Sequence, residues 1–344
     1  MDKIIVSEYL SDFNKIWEDK CQNYKYLPNI LPAVKRIIVI GDIHGDINIL
    51  YECLKIGKVI DNNLKWIGKK TVVVQVGDQI DSCRYDQINS CNDINNYKKN
   101  EDKASDINIL YFMTNLHNLA SEHGGAVYSL MGNHELMNVV GDMSYVSYNN
   151  NKQFNNYIKE NGEIIEDGMT ARKYVFSPGN KISNFLACTR KIALIIGNNL
   201  FVHAGIVPQI IEKYKIDDMN KLLTLFLLDE LKDPSIFYDV MMSSKYSPLW
   251  TREFGDTKMT TEKCDELMNP IKKVYKVGRI FVGHTPQLDK GITKICKDQI
   301  ILTDVGMAEA FDPFDKTKLK TGEKNEHREA QVLEILKNKL TVLK

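Results

Sequence analysis

The sequence predicts an α/β fold built on buried strands, and two features of the chain support this. Short runs rich in β-branched residues, at 36–41, 71–77 and 126–132, each end in glycine followed by polar residues, which is typical of buried strands. Helical candidates at 46–58 and 104–122 lie between these runs. Strands that alternate with helices in this way indicate an α/β layer.

The remaining elements follow in chain order. Residues 7–20 space Tyr9, Leu10, Phe13 and Trp17 at helical intervals, which predicts a helix that packs on the outside of the core. The stretch 222–231 is expected to be a core helix. Further strands are expected at 192–196, 199–203, 279–282, 299–304 and 330–336.

The composition is that of an ordinary globular chain with one large or two smaller domains. Of the 344 residues, 43% are hydrophobic and 26% are charged. The 45 basic and 45 acidic side chains cancel, which argues against a protein that coats nucleic acid. The longest strongly apolar stretch, 222–228, is far too short to span a membrane. We therefore expect neither nucleic acid nor a membrane as a partner.

The N-terminus and the cysteines predict a cytoplasmic location. Residues 1–8 lack the basic start and long apolar run of a signal peptide. The seven cysteines include no close CxxC pair, and we expect them to be reduced thiols of an intracellular protein.

Residues of metal-binding type follow the predicted strands, where ligand sites of α/β sheets gather. Taken singly, each is better explained as a turn-forming residue or a core histidine; taken together, they indicate a metal site. Hard oxygens mixed with imidazoles suit Mn, Fe or Zn, and their number suits two metals that share a carboxylate. The candidate ligands are Asp42, His44, Asp78, Asn133, His203 and His284.

The same segments resemble a known family. The blocks GDIHG (41–45), GDQID (77–81) and GNHE (132–135) resemble the calcineurin-like metallophosphoesterases, and best the phosphoprotein phosphatase (PPP) superfamily. Further blocks resemble its bacterial-type, Shewanella-like protein phosphatases, so that the likeness covers about residues 36–336. They are MNVVGDMSYV (137–146), FVHAGIVP (201–208), SPLWTRE (247–253), VGHTPQ (282–287), ILTDVGM (301–307) and QVLEI (331–335).

The resemblance implies a four-layer αββα fold, with two mixed β-sheets face to face and helices outside. It divides the chain into a helical extension (1–35), a metallophosphoesterase catalytic domain (36–310), and a charged segment with a final strand that completes this domain (311–344). Polar segments near 82–103 and 146–180 are expected to be insertions that form surface loops around the site. The charged stretch 312–328 is expected to be mobile.

The resemblance also implies a role for each candidate ligand. Two divalent or transition-metal ions per chain are expected, with Asp78 shared between them. Asp42 and His44 would complete the first metal site, whereas the second would be completed by Asn133, His203 and His284.

The general acid implied by the resemblance is His134, which would protonate the leaving alkoxide. Asp81 would fix the tautomer of His134 and keep its ring charged; the alternative for Asp81 is a helix-capping carboxylate.

The phosphate clamp is where the chain departs from the family. The second block usually continues Asp-Arg-Gly, whereas here Asp81 is followed by Ser-Cys and then Arg84. Arg252 is the main clamp candidate, since guanidinium matches phosphate oxygens, and Asn133 and Arg84 are further phosphate-binding candidates. The alternatives are a salt bridge from Arg252 to Glu253 or another surface acid, and a solvated loop position for Arg84.

These roles predict a dinuclear-metal phosphomonoester hydrolase in which a metal-bridging hydroxide attacks phosphorus directly. The expected substrate is a phosphoprotein, on serine or threonine, with tyrosine as a further candidate; regulatory partners are not indicated. A nucleotide or dinucleoside-polyphosphate hydrolase is the alternative enzyme. A catalytically weakened, phosphatase-like binding protein is the alternative outside enzymes, which the missing Asp-Arg-Gly arginine keeps open.

Overall fold

Two six-stranded sheets form the centre of the molecule. The structure, a computed structural model, describes residues 10–84, 91, 103–243 and 245–344. Both sheets combine parallel and antiparallel pairs, and helices flank them. The predicted fold class of two mixed sheets with helices outside is therefore confirmed.

The first sheet, here called sheet I, contains the three strands predicted first. Its order is β14 (Lys339–Leu343), β13 (Val332–Leu336), β2 (Arg36–Ile40), β3 (Val72–Gln75), β4 (Ala126–Leu130) and β7 (Arg190–Lys191). Strands β2, β3 and β4 are parallel neighbours, so their carboxyl ends lie at one edge of the sheet.

The second sheet, here called sheet II, has the order β1 (Ile30–Leu31), β8 (Ala193–Ile196), β9 (Asn199–Val202), β10 (Arg279–Val282), β12 (Ile300–Leu302) and β11 (Thr293–Ile295). Strands β9, β10 and β12 are parallel neighbours. A separate ribbon pairs β5 (Tyr157–Ile158) with β6 (Ile164–Ile165).

The helices lie between the strands along the chain. They are α1 (Phe13–Lys20), α2 (Ile47–Ile56), α3 (Asp106–Glu122), α4 (Asn133–Val139), α5 (Tyr148–Lys152), α6 (Gly168–Phe176), α7 (Lys181–Thr189), α8 (Pro208–Ile211), α9 (Ile216–Leu227), α10 (Ser235–Met241), α11 (Thr261–Tyr275) and α12 (Lys316–Thr321). Two 3₁₀ turns, Glu309–Phe314 and Glu326–Arg328, flank α12.

Alternating apolar side chains explain why the two sheets stack. Leu194 of β8 and Phe201 of β9 belong to one buried cluster with the strands of sheet I, whereas Ile195 and Leu200 belong to a second cluster with α7 and α9. Because successive residues of a strand face opposite sides, one face of sheet II packs on sheet I and the other carries helices.

Within the described residues, the predicted strands and helices are present, and most of their bounds agree to within two residues. The helix expected at 222–231 is α9, which begins six residues earlier, at Ile216. The final predicted strand, 330–336, is β13, and it is followed by β14, which the sequence analysis missed. The two strands form a hairpin whose loop, Lys337 and Asn338, has φ of 50° and 68°. Two-residue hairpins need this left-handed backbone, and Lys-Asn is a weaker hairpin signal than Asn-Gly.

The segment 1–35 was expected to be a helical extension, but its described part contains a strand as well as a helix. Helix α1 begins at Phe13, and residues 1–9, including Tyr9, lie outside the described part of the chain. Phe13 and Trp17 are buried. Strand β1 then pairs with β8 at the edge of sheet II, and two residues are too few to produce a strand pattern in the sequence.

Two segments expected to be irregular are ordered. Residues 146–180 form α5, the β5–β6 ribbon and α6, with Ser147 and Asp167 as side-chain caps of the two helices. In the charged tail, the buried Arg328 lies 2.6 Å from Asp315 and 3.1 Å from Asp312, so the expectation of a mobile tail is wrong. Of the other expected insertion, 82–103, only residues 82–84, 91 and 103 are described.

The prediction of reduced cysteines is wrong. Three disulfides join Cys21 to Cys188, Cys83 to Cys91 and Cys264 to Cys296, while Cys53 is a buried free thiol. The paired cysteines are 167, 8 and 32 residues apart, and such separations leave no motif to recognise before the chain is folded.

None of the helices within the described ranges combines the length and the apolar character that crossing a membrane requires.

Candidate active site

The site lies where loops from the ends of β2, β3, β4, β9 and β10 meet. Two glycines allow the loops to touch. A Cβ on Gly132 would lie 2.1 Å from Asp78 Oδ1, and one on Gly283 would lie 2.1 Å from Asp42 Oδ1. Only glycine permits such close approach. The buried residues gathered here include all six predicted ligands: Asp42, His44, Asp78, Asn133, His203 and His284.

The second predicted ligand set forms one tight cluster. Asn133 Oδ1 lies 2.9 Å from His203 Nε2 and 2.9 Å from His284 Nδ1. His203 Nε2 lies 3.4 Å from Asp78 Oδ2. Ligand atoms of Asp78, His203 and His284 all fall within 4.8 Å of one another, close enough to hold one ion.

Backbone carbonyl groups fix the tautomers of these two histidines. His203 Nδ1 lies 2.9 Å from the carbonyl oxygen of Val76, and His284 Nε2 lies 3.0 Å from that of Trp250. Since a carbonyl can only accept, each of these nitrogens carries a hydrogen, and the other nitrogen turns its lone pair toward Asn133. Acceptor atoms converging on one point fit a cation, and this backbone support is typical of histidine metal ligands.

The first predicted set shares Asp78 with the second. His44 Nε2 lies 3.7 Å from Asp78 Oδ2 and 3.9 Å from Asp42 Oδ2. Ligand atoms of His44, Asp78 and His134 form a second group within 4.8 Å. This group contains the predicted acid His134 rather than the predicted ligand Asp42, which adjoins the group through His44.

The charge states of Asp78, His44 and His284 suit metal binding, which needs ionised carboxylates and neutral imidazoles. Asp42 differs, because burial and then the neighbouring Asp304 hold its pKa well above the ordinary value. Burial raises the pKa of Asp78, but His203, His134 and His44 outweigh it and hold this pKa well below its ordinary value. Burial, helped by Arg84, holds the pKa of His44 well below its usual range. Burial, followed by His203, lowers the pKa of His284 to about 3.

His203 differs from its neighbours. Burial lowers its pKa, but the Asp78 carboxylate, together with the Val76 carbonyl and the Glu135 carboxylate, outweighs burial and raises this pKa overall. The field at His203 Nε2 therefore favours positive charge, which either a proton or a metal ion can supply.

His134 and Asp81 form a buried pair beside this centre. His134 Nδ1 lies 2.8 Å from Asp81 Oδ2, and His134 Nε2 lies 3.9 Å from Asp78 Oδ2. The other oxygen of Asp81 accepts a 2.9 Å hydrogen bond from Asn138 Nδ2. The Asp81 carboxylate thus binds side chains rather than the backbone N–H groups of a helix end, which is the arrangement expected for a partner of His134.

A buried network behind Asp81 was not predicted from the sequence. Arg172 Nε donates to Asn138 Oδ1 at 2.8 Å, and Arg172 Nη2 donates to Asp106 Oδ2 at 2.8 Å. Asp106 Oδ1 accepts the backbone N–H of Asp81 at 3.2 Å. Because Arg172 lies in the segment expected to be a surface loop, no sequence signal pointed to it.

Glu135 joins two of the loops. Its carboxylate accepts backbone N–H groups of Asp78, Gln79 and Gly132 at 3.0, 2.7 and 2.7 Å. Glu135 belongs to the GNHE block, and no role was predicted for it from the sequence. Its role is to hold the loop that carries Asp78 against the start of α4.

The two arginines differ in position. Arg84 is mostly buried: its Nη2 lies 2.8 and 2.9 Å from the ring nitrogens of His44, and its guanidinium carbon lies 4.7 Å from the centroid of the Phe311 ring. A solvated loop position for Arg84 is therefore wrong. Arg252 is exposed at the rim, where Nη1 donates to the carbonyl oxygen of His284 at 3.2 Å.

The side chain of Ser82 does not face the centre in place of the missing arginine. Its hydroxyl accepts a 3.1 Å hydrogen bond from Asn150 Nδ2. The Cβ of Ser82 lies close to Gly45, because a Cβ added to Gly45 would be 2.7 Å from it.

Backbone strain concentrates in the same loops. His44, Asp78, Asp81 and His284 have φ of 44°, 52°, 71° and 65°. Residues other than glycine rarely adopt this left-handed region, and strain of this kind is common at functional sites.

Two groups of ligand atoms share the buried Asp78, and one of them includes His134, which contacts Asp81. This arrangement fits the site of a metallophosphoesterase. Residues 35–288 match the family described as calcineurin-like phosphoesterase, and the chain belongs to this family. The predicted resemblance and the prediction of a metal-dependent phosphatase are thereby confirmed.

Several curated proteins are similar to the chain. It is 35% identical over 254 residues to an uncharacterized protein of Acanthamoeba polyphaga mimivirus, covering 67% of this chain and 96% of the other. It is 26% identical over 330 residues to Shewanella-like protein phosphatase 2 of Arabidopsis thaliana, covering 85% and 76% of the two chains. It is 28% identical to Shewanella-like protein phosphatase 1 of Plasmodium berghei, covering 79% and 67%.

Solved structures share the fold. A cold-active protein tyrosine phosphatase solved at 1.1 Å superposes with a TM-score of 0.67 at 21% identity, covering 92% of this chain and 78% of the other. The cold-active protein-tyrosine phosphatase of a psychrophilic Shewanella gives a TM-score of 0.63 at 20% identity, covering 92% and 80%.

Proposed function

We propose that this protein is a dinuclear-metal phosphatase that removes phosphate from serine, threonine or tyrosine side chains of proteins. The observation that carries the proposal is the pair of ligand-atom groups that share Asp78, one with His203 and His284 and the other with His44 and His134. His134 also contacts Asp81 through Nδ1 at 2.8 Å. The names of the relatives, which are protein phosphatases and a protein tyrosine phosphatase, support a phosphoprotein as the substrate.

Two divalent or transition-metal ions, Mn, Fe or Zn, would be held by this chain. Asp78 would contact both ions, and Asp42 with His44 would hold the first. The second would be held by Asn133, His203 and His284. When bound, such a pair of ions polarises the phosphoryl oxygens and lowers the pKa of coordinated water. His44 would have to give up its contact with Arg84 to serve as a ligand.

The protein's own proton donor would be His134. Its Nδ1–H donates to Asp81, so Nε2 is the nitrogen that can carry a proton to the leaving oxygen. Asp81 would stabilise the charged ring and keep it in this orientation, because its second oxygen is held by Asn138.

Two arginines would hold the phosphate. Arg84 reaches the cavity that contains His44 and Asp78, and the rings of Phe311 and Tyr145 lie 4.7 and 5.3 Å from its guanidinium carbon. Arg252 lines the same cavity from the rim. A guanidinium can bind two phosphate oxygens at once, which supports Arg84 as the main contact and Arg252 as a second one.

The size and walls of the cavity favour a substrate with an aromatic side chain as well as one with a small side chain. Its volume is about 390 Å³, and Tyr145, Trp250 and Phe311 form part of its wall. Pockets of this size and character accept aromatic groups. We therefore propose phosphotyrosine as a substrate beside phosphoserine and phosphothreonine.

The cytoplasmic location stays a prediction. Three disulfides favour an oxidising environment, because cytosolic thiols are kept reduced.

A comparison of substrates tests the proposal. The purified protein, supplied with Mn²⁺, is incubated with phosphoserine, phosphothreonine and phosphotyrosine peptides, and in parallel with diadenosine tetraphosphate. We expect phosphate release from peptides that is lost in His134→Gln. Faster turnover of the dinucleotide would favour the nucleotide hydrolase, and metal binding without any turnover would favour a phosphatase-like binding protein.

A further inference from the structure

Asp304 is a buried carboxylate in the active-site cavity and lies outside the set of six predicted ligands. It follows β12 in the block ILTDVGM and lines the cavity together with His44, Asp78 and Arg84. Its Oδ1 accepts the backbone N–H of Gly306 at 2.8 Å, whereas its Oδ2 is buried without a hydrogen-bond partner.

Asp42 presents the same unusual feature. Its Oδ2 accepts the backbone N–H of His284 at 2.9 Å, while its Oδ1 is buried without a partner. The loops that carry Asp42 and Asp304 are in contact, because a Cβ on Gly41 would lie 2.1 Å from the Thr303 carbonyl oxygen and 3.2 Å from the Asp304 nitrogen. Two buried carboxylates, each with one unpartnered oxygen, therefore lie in adjacent loops.

Such an arrangement is unfavourable unless positive charge lies nearby. Burying a carboxylate oxygen without a donor costs several kcal/mol, and two like charges add repulsion. In native structures almost all buried polar atoms have a hydrogen-bond partner. Two buried carboxylate oxygens without a donor, Asp42 Oδ1 and Asp304 Oδ2, therefore point to a cation as their partner.

We propose that Asp304 is an additional ligand of the first metal ion, which it binds through Oδ2 together with Asp42, His44 and Asp78. This inference rests on the proposed dinuclear function. It makes the first position rich in carboxylate oxygen, whereas the second contains two imidazoles and an amide. Carboxylate favours a hard ion such as Mn²⁺, so the two positions differ in metal preference.

Metal titration of the chelator-stripped protein tests this assignment. Asp304→Asn keeps an oxygen to accept the Gly306 N–H but loses the charge. The control is Asp298→Asn, an exposed carboxylate in the turn before the same strand. By calorimetry with Mn²⁺, we expect two binding events in the wild type and the control. In Asp304→Asn, one event should weaken by about 10- to 100-fold while the other changes little.

The outcomes separate this inference from the proposed function. Two unchanged affinities in Asp304→Asn, with two ions bound in the wild type, would overturn the role of Asp304 alone. A wild type that binds no Mn²⁺, Fe²⁺ or Zn²⁺ would overturn both the inference and the proposed function.

Thermal unfolding without metal checks that the variant is folded. Replacing a buried carboxylate whose Oδ2 has no donor by an uncharged amide should leave the melting temperature of stripped Asp304→Asn equal to or above that of the stripped wild type. Adding Mn²⁺ should then raise the melting temperature of Asp304→Asn less than that of the wild type. A stripped variant that melts well below the stripped wild type would show that Asp304 is structural and would contradict its role as a ligand.

Discussion

Replacing Asp81 by asparagine should slow phosphate ester hydrolysis without removing the metals. Asp81 is fully buried, and its Oδ2 accepts a 2.8 Å hydrogen bond from His134 Nδ1. The amide retains an oxygen that can accept this hydrogen bond, and its NH₂ group would face the Asn138 amide nitrogen. What the substitution removes is the negative charge that stabilises a protonated His134 ring.

The size of the effect follows from the charge that this hydrogen bond loses. A hydrogen bond to a charged group contributes about 1.5–3 kcal/mol, which corresponds to about a 10- to 150-fold change in rate. Removing the acid itself, in His134→Gln, should cost roughly 10²–10⁴-fold. Asp81→Asn should therefore resemble a milder form of His134→Gln.

The assay compares two leaving groups. p-Nitrophenyl phosphate has a leaving group that barely needs a proton, whereas the leaving group of phenyl phosphate resembles tyrosine, with a pKa of about 10. We expect kcat in Asp81→Asn to fall much less with the first substrate than with the second. Metal content should be unchanged, and Asp298→Asn serves as the control. Equal losses on both substrates, or loss of metal, would refute the proposed role of Asp81.

Three further predictions concern other parts of the molecule. Arg84→Ala should weaken inhibition by inorganic phosphate about 10-fold or more, and Arg252→Ala should weaken it less; unchanged inhibition constants in both variants would contradict the proposed clamp. Although burial raises the pKa of Asp315, hydrogen bonds from Asn325, Lys318 and Arg328 lower it to about 2. Its stabilisation, on the order of 2 kcal/mol, should therefore be present above pH about 4 and lost as the pH falls toward 2; Asp315→Asn should flatten this part of the stability–pH curve measured by urea unfolding. Thiol titration in denaturant should find one thiol before reduction, that of Cys53, and seven after it; seven thiols without reduction would show that the disulfides do not form.

The strand ends of the site could be predicted because glycine and polar residues follow apolar runs in each block. Asp42, Asp78 and Asn133 follow β2, β3 and β4, and parallel strands bring their carboxyl ends to one edge. The distances and the tautomers could not be predicted in this way. They depend on carbonyl groups such as those of Val76 and Trp250, which carry no sequence signal.

Contacts between distant segments account for most of what the sequence analysis missed. Arg172 reaches Asp106 across 66 residues, and Cys21 bonds to Cys188 across 167. The buried pair of Arg328 and Asp315 lies in a stretch whose charge suggested mobility. In each case the local sequence does not indicate the partner residue, which is brought close only by the tertiary fold.

The most direct test of the dinuclear centre is a joint measurement of metal content and activity during reconstitution. Stripped protein is titrated with Mn²⁺ while bound metal and hydrolysis of a phosphotyrosine peptide are followed together. We predict that activity rises to a maximum as about two ions bind per chain, and that Asp78→Asn, which removes the shared carboxylate, binds metal weakly and is inactive. Full activity in the stripped protein, or unchanged metal content and activity in Asp78→Asn, would contradict the account.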